Sequence, residues 1–474
     1  MKIALINIIK DKNVYPLNLV ALATYVRNQT SSQIRIIDAN WDDIITETID
    51  FNPDIIGISA MSITYGNAVL LARKLKEKSS ALMIIGGAHI NTRPSALAKE
   101  FDLGVVGEGE ETLAEIAELM KEKKSLSLDE LKEIKGIIYH DNEKAIINQP
   151  RDFINPLDKL PIPDVELLNK SYFIKKDHHT FKGKVGIIAN LMTSRGCPYA
   201  CAFCASPVIW KRKVRIFSVN HVAEEIEYLA KNYKVNLLQV YDDIFSISKI
   251  RLRELISLLK EKKLLGKIKF ACQSRVDTID EEMCEILKEL GVETISFGFE
   301  SGSETTLNYL KVGTVKVEQN RATAKMVKKH GFNVYGSLII GNPNEKIEDI
   351  KKTIEFVDFL KEIKADGVDV FIACPFPGTK FWDYAIENNR LPKDFELNPP
   401  DFYHPESAYL IDSSINKEEF IQTYKKLLEE LTSFSQRRSI LSIVLYPKEP
   451  RIKTVLRAIH NPKEVLKRIT NHLI

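Results

Sequence analysis

Apolar and polar positions along the chain fall into two series of alternating strands and helices, separated by a charged and proline-rich stretch. In the first series, residues 3–9, 34–39, 55–60, 82–86 and 103–107 are short, mostly apolar β-rich runs, as expected of strands covered on both faces. Residues 17–28, 67–78 and a segment from 111 carry helical spacing between them. This order predicts an α/β fold that opens on a doubly wound parallel sheet, a Rossmann-like domain over residues 1–135. Residues 121–135 are charged and helical, 136–148 read as a hairpin with a polar turn, and Pro156, Pro161 and Pro163 stiffen an extended connector. Residues 136–182 are therefore expected to be a hairpin and proline-rich linker.

The second series begins with an apolar run at 185–192, read as a buried strand. Five further strands follow at 237–241, 268–272, 294–299, 334–340 and 368–373, with helices at 220–232, 249–262, 281–290, 317–330 and 347–363. Six strand–helix units predict an open, partial (β/α)6 barrel of the TIM type over residues 183–390, with active residues at the carboxyl ends of its strands. From 391 the chain turns irregular and is helical again at 417–432, so 391–474 reads as a helical C-terminal region with a basic tail.

Length and composition agree with this division, since 474 residues exceed one ordinary core. Hydrophobic content of 44% and charged content of 28% are those of a soluble globular protein. A net charge of +3 argues against a general polyanion binder, and no nucleic-acid partner is expected. The apolar start is short and runs into Lys10-Asp11-Lys12, so it reads as a first strand rather than a signal segment, and no uncharged run approaches the ~20 residues of a bilayer span. All six cysteines lie at or beyond residue 197, which suits a site in a reducing, cytoplasmic compartment better than a disulfide framework.

Three of those cysteines, Cys197, Cys201 and Cys204, fall on one loop after the 185–192 run. Three thiolates so close can converge on one metal centre. Zinc would want a fourth ligand at short range, and the nearest candidate, His221, lies well down the next helix. A four-iron four-sulfur cluster would keep one iron open to a substrate or cofactor. Iron–sulfur is thus the leading reading, with zinc or unrelated buried thiols as alternatives.

Other strand ends are polar as well. Those of the first series carry Ser59 and Ser62, then Gly86, Gly87 and His89, then Gly107, Glu108 and Gly109. Glycines there admit a ligand to the backbone, and the residues alone allow a nucleotide-sized or larger ligand, or none. In the second series Tyr241-Asp242-Asp243, Arg275, and Glu300-Ser301 stand at the rim. Converging charges are costly there unless they pair with each other or with a zwitterion.

The spacing Cys-x3-Cys-x2-Cys, with Phe203 before the last cysteine, resembles the signature of the radical S-adenosylmethionine enzymes. The resemblance implies that Cys197, Cys201 and Cys204 hold a 4Fe-4S cluster and that S-adenosylmethionine chelates the open iron and is cleaved to a 5′-deoxyadenosyl radical. It also implies that Phe203 lies near the adenine. Tyr241, Asp242 and Asp243 take the place of the amino-group motif, Glu300 and Ser301 lie near the methionine or ribose, Arg275 meets the carboxylate, and Gly341 opens a loop beside the adenine.

The order of glycine motifs before the barrel resembles the cobalamin-binding domain of many such enzymes, which assigns Ser59, Ser62, Gly86, Gly87, His89, Gly107, Glu108 and Gly109 to the corrin site. Members that bind cobalt through a histidine carry it after the first strand, where this chain has Lys10-Asp11-Lys12-Asn13-Val14-Tyr15-Pro16. The lower cobalt face is then empty, holds water or is covered by another side chain. Cys374 begins a loop like that of cobalamin-dependent members and reads as packing, with contact to the substrate as the alternative, while Cys272 and Cys284 read as core thiols.

Together these resemblances imply a cobalamin-dependent radical enzyme, a methyltransferase acting on an unactivated carbon. Its partners would be a small-molecule substrate, lipid-like or tetrapyrrole-like, and an external electron donor such as flavodoxin or ferredoxin. The alternatives are cyclisation or rearrangement with cobalamin as electron carrier, or a non-catalytic cobalamin or iron–sulfur sensor. The tail at 437–474, nine Lys or Arg among apolar residues, suggests a helix packed on the barrel or a peripheral membrane contact.

Overall fold

The computed structural model describes residues 1–434 except 124, 143, 401, 403 and 405–408. Its first sheet runs in the order β2-β1-β3-β4-β5-β6-β7. The strands are β1 (Lys2–Asn7), β2 (Gln33–Asp38), β3 (Ile55–Ser59), β4 (Leu82–Gly86), β5 (Leu103–Val105), β6 (Ile137–Asp141) and β7 (Lys144–Ile147). Strands β1 to β5 are parallel. Alternate residues serve opposite faces, which is why the runs are mostly apolar: Ile3, Leu5, Ile55 and Ile84 enter one core, and Ala4, Ile6, Ile56, Met83 and Ile85 the other. The helices Leu17–Thr30 and Gly109–Lys123 cover the first face, and Tyr65–Lys76 the second.

The hairpin differs from the expectation of a linker. Strand β6 pairs antiparallel with β5 (Leu103 with Tyr139, Val105 with Ile137), so the first sheet extends to Ile147. Three-residue β5 would otherwise leave an unpaired edge, and the hairpin satisfies it. Residues 149–183 then cross between the sheets through short 3-10 turns, burying Ile154, Leu157, Leu160, Val165, Leu168 and Tyr172 in a core shared with the barrel.

The predicted strand at 185–192 is two elements. The pair β8 (Lys176–His178) and β9 (Lys184–Gly186) is antiparallel and leaves Val185 exposed, and β10 (Ile188–Leu191) starts the barrel. The cysteine loop follows β11 (Ser194–Arg195), which pairs with β12 (Arg215–Ile216). The barrel sheet is open, parallel and six-stranded, in the order β10-β13-β14-β15-β16-β17. Its later strands are β13 (Leu237–Val240), β14 (Lys269–Ser274), β15 (Val292–Glu300), β16 (Asn333–Ile340) and β17 (Gly367–Ile372). Val368, Val370 and Ile372 join the main apolar core, and alternation puts Asp369 on the opposite face of the strand.

The helix Lys417–Phe434 lies against Ile347–Glu362 and buries Phe420, Tyr424 and Leu427. No helix among the described residues is long and apolar enough to cross a membrane. The basic tail at 437–474 lies outside the described residues.

Candidate active site

The cysteine loop is held from behind. Asp242, at the end of β13, is 2% exposed and accepts four hydrogen bonds, from the backbone N–H and hydroxyl of both Thr193 and Ser194. These bonds occupy the carboxylate expected to meet S-adenosylmethionine and tie it to the base of the cysteine loop. Arg251 reinforces the anchor by donating to the Thr193 hydroxyl and carbonyl. Gly196 then turns the chain with φ +98°, where a Cβ would stand 2.1 Å from the Lys213 carbonyl, so no other residue fits.

Cys197, Cys201 and Cys204 are half-buried and unbridged. Burial raises the thiols of Cys197 and Cys204, the latter to about 12, and the charges of Cys201 and Asp243 act on both in the same direction. Among the described residues no three such side chains already stand at metal-ligand spacing. Metal binding to thiols is coupled to their deprotonation and to the final closure of a site, and a loop of three neighbouring thiols anchored at its base fits a cluster held by three bonds. Among the described residues Asp243 accepts from Ser206 Oγ alone, at 3.0 Å, and is the carboxylate of the motif left facing the thiols. Tyr241 lies beside it, with burial raising its phenol.

Arg275 departs from the expected role. Its fork is filled by Asp277 through two 2.9 Å bonds, Nη1 donates to Cys201 Sγ at 3.4 Å, and its guanidinium lies 3.5 Å from the Tyr199 ring centre. It is thus bonded to a neighbouring carboxylate and to a cysteine of the loop. Glu300 pairs with Lys311 at 2.8 Å, and Lys311 Nζ stands 5.4 Å from the Phe203 ring centre. Ser301 is fully buried and turned away, bonded to Thr353 and to the Ser303 N–H. Gly341 has φ +74°, gives its N–H to Glu345 and is walled by Leu410 and Phe420 of the C-terminal region. Cys272, Cys284 and Cys374 are buried, Cys374 against Trp382 and Phe395.

At the carboxyl ends of the first sheet lies a cavity of about 420 Å³. Ser59, Gly86, Gly87, Gly107, Glu108 and Gly109 line it from one side, and Met192, Arg195, Trp210 and Phe217 from the barrel. A Cβ at Gly86 or Gly107 would meet nothing within 4 Å, so these two glycines leave open space over the strand ends. Gly87 is required by conformation, with φ +99° and the Ala60 carbonyl 2.6 Å from where a Cβ would be. His89 and Ser62 do not line the cavity: His89 is fully buried, bonded to Ser62 at 3.1 Å and stacked on Tyr65, and burial lowers it to about 4.

Glu108 is committed too. It accepts from Arg195 at 2.5 Å, from both Nη atoms of Arg215 at 2.7 and 3.1 Å, and from the Ile154 N–H, while Glu110 holds the other arm of Arg195. This buried cluster fastens the first sheet to the residue just before Gly196 and Cys197. Sequence reading missed Arg195, Arg215, Lys311 and Asp277, whose partners are distant or unmarked in the chain; Arg195 alone carried a signal, by its place in the cysteine loop.

The fold and this site define a two-domain protein with a ligand cavity set against a loop built for a cluster. The chain matches the Radical SAM superfamily over residues 191–357 and the B12 binding domain over residues 9–117. It is 34% identical over 385 residues to an uncharacterised methyltransferase of Pyrococcus horikoshii, covering 79% of each chain. With the cytidylyl-2-hydroxyethylphosphonate methyltransferase of Streptomyces wedmorensis it shares 27% over 391 residues, 75% of this chain and 71% of the relative. Its fold superposes with a TM-score of 0.67, at 18% identity, on TsrM, a radical S-adenosylmethionine methyltransferase of Kitasatospora setae solved with cobalamin and a [4Fe-4S] cluster, over 82% of this chain and 78% of that one. The chain belongs to the radical S-adenosylmethionine superfamily, among members that carry a B12 binding domain. It is an enzyme whose cofactors are a 4Fe-4S cluster, S-adenosylmethionine and cobalamin.

Proposed function

We propose that this enzyme transfers a methyl group from S-adenosylmethionine, by way of cobalamin, to an unactivated carbon of a small-molecule substrate, with electrons from an external reductant of the flavodoxin or ferredoxin type. The observation that carries the reading is the shared cavity: the strand ends of the B12 binding domain and the residues flanking the cysteine loop line one space. When bound, the reduced cluster supplies a 5′-deoxyadenosyl radical and cobalamin supplies the methyl group. The protein's own part is positional. Cys197, Cys201 and Cys204 hold the cluster, Asp243 receives the amino group of S-adenosylmethionine, and Phe203 with Lys311 flanks the adenine. Met192, Trp210 and Phe217 keep the space between the centres apolar, so that a carbon radical meets the methyl donor before water.

The test is anaerobic turnover with methyl-labelled S-adenosylmethionine and a candidate substrate. Label in the product and 5′-deoxyadenosine in solution are expected, both lost in Cys201→Ala. 5′-Deoxyadenosine without label transfer would favour cyclisation or rearrangement, and neither product in the reconstituted, reduced protein would overturn an enzymatic reading.

A further inference from the structure

The helix Val219–Tyr233 turns Val222, Ala223, Ile226 and Leu229 into the core, and Glu225 falls within that apolar stripe. Glu225 is 5% exposed, lines the cavity from the barrel side, and makes no hydrogen bond or ion pair among the described residues. A buried carboxylate without a partner is costly, so the group either stays protonated or awaits a ligand. The groups that face it offer no counter-charge. Asp242 is taken up by Thr193 and Ser194, with Arg251 behind it bonded to Thr193, and the Tyr15 hydroxyl donates to the Asn190 carbonyl at 2.7 Å. Burial, and then the charge of Asp242, raise the Glu225 carboxyl to about 8, so it carries its proton at neutral pH.

We propose that Glu225 binds cobalamin as a neutral carboxylic acid, pairing with one of the primary amides on the corrin rim. A protonated carboxyl offers one donor and one acceptor side by side, and a primary amide offers the complement, so two hydrogen bonds close a ring. A carboxylate would lack the donor and would repel the phosphodiester of the nucleotide tail. The proposal rests on the cofactor assignment and adds a polar barrel residue to a cavity that the strand ends of the first domain share with Met192, Trp210 and Phe217.

Methylcobalamin, which has no axial water to titrate, is the probe, added in dim light to the full chain and followed by absorbance. Wild-type affinity is expected to fall roughly tenfold between pH 7 and pH 9 as the acid ionises. Glu225→Gln, which keeps a donor and an acceptor, should bind as wild type at pH 7 and show no such fall. Glu225→Leu should bind about tenfold more weakly at pH 7, by the loss of about two net hydrogen bonds, with the thermal midpoint of the unliganded chain at or above that of wild type. A flat wild-type profile, an unchanged pH dependence in Glu225→Gln, or full affinity in Glu225→Leu would overturn the proposal. Failure of wild type to bind at any pH would instead overturn the cofactor assignment, and this inference with it.

Discussion

Replacing Glu108 by Gln should cost far more than the loss of an ordinary ion pair. The Glu108 side chain is 4% exposed, and Arg195 and Arg215 are 11% and 9% exposed, so neither cation can turn to water for compensation. In the native cluster two carboxylates face two guanidiniums; the amide leaves Arg195 with Glu110 and Arg215 with no carboxylate among the described residues. Stranding a buried charge in this way costs about 3–5 kcal/mol, against ~0–1 for an exposed pair. At ~2–4 °C per kcal/mol in a chain region of this size, the melting midpoint should drop by about 10 °C. The assay is urea and thermal unfolding of the anaerobic protein, read by tryptophan fluorescence and far-UV circular dichroism. Arg215→Met in the Glu108→Gln background should recover part of the loss, because it removes the stranded cation while keeping apolar contact with Phe153 and Trp210. A loss below ~1 kcal/mol, or strict additivity of the two changes, would refute the reasoning.

The pH dependence has a definite sign. Burial raises the Glu108 carboxyl, but Arg215, Arg195 and the Ile154 N–H outweigh it and hold it below the ordinary range. Its stabilisation is therefore present above the unfolded value of ~4.3 and is lost as pH falls through the folded value.

Other substitutions separate filling a site from breaking a fold. Gly86→Leu projects into open cavity and should leave the unfolding midpoint within ~0.5 kcal/mol of wild type while abolishing methylcobalamin binding, measured by absorbance. Gly87→Ala should destabilise by ~1–3 kcal/mol in the same unfolding assay, because its left-handed backbone and the Ala60 carbonyl both oppose a side chain. Lys311→Met strands Glu300 among residues equally buried and should cost ~3–5 kcal/mol; recovery in Lys311→Met with Glu300→Gln would identify the stranded carboxylate as the cause.

What the chain determines by itself is local and periodic. Uninterrupted apolar runs such as residues 3–6 announce strands covered on both faces, because each alternate residue must find a separate core. The three cysteines announce a candidate cluster site through spacing on one loop, whereas the short strand β11 that leads into that loop carries no signal in the chain. The hairpin at 136–148 was legible as a hairpin, yet whether it linked domains or closed a sheet depended on the unpaired edge of β5, about thirty residues away.

Only the tertiary structure decided which polar residues at the strand ends are free. Asp242, Glu108 and Arg275 looked like ligand contacts in sequence, and folding gives each to protein partners: Thr193 and Ser194, Arg195 and Arg215, Asp277. Among the described residues Asp243, at a strand end, and Glu225, on the helix Val219–Tyr233, are left with unfilled capacity. The reason is that buried polar groups must be satisfied by whatever lies within about 3 Å, and chain separation says nothing of that distance.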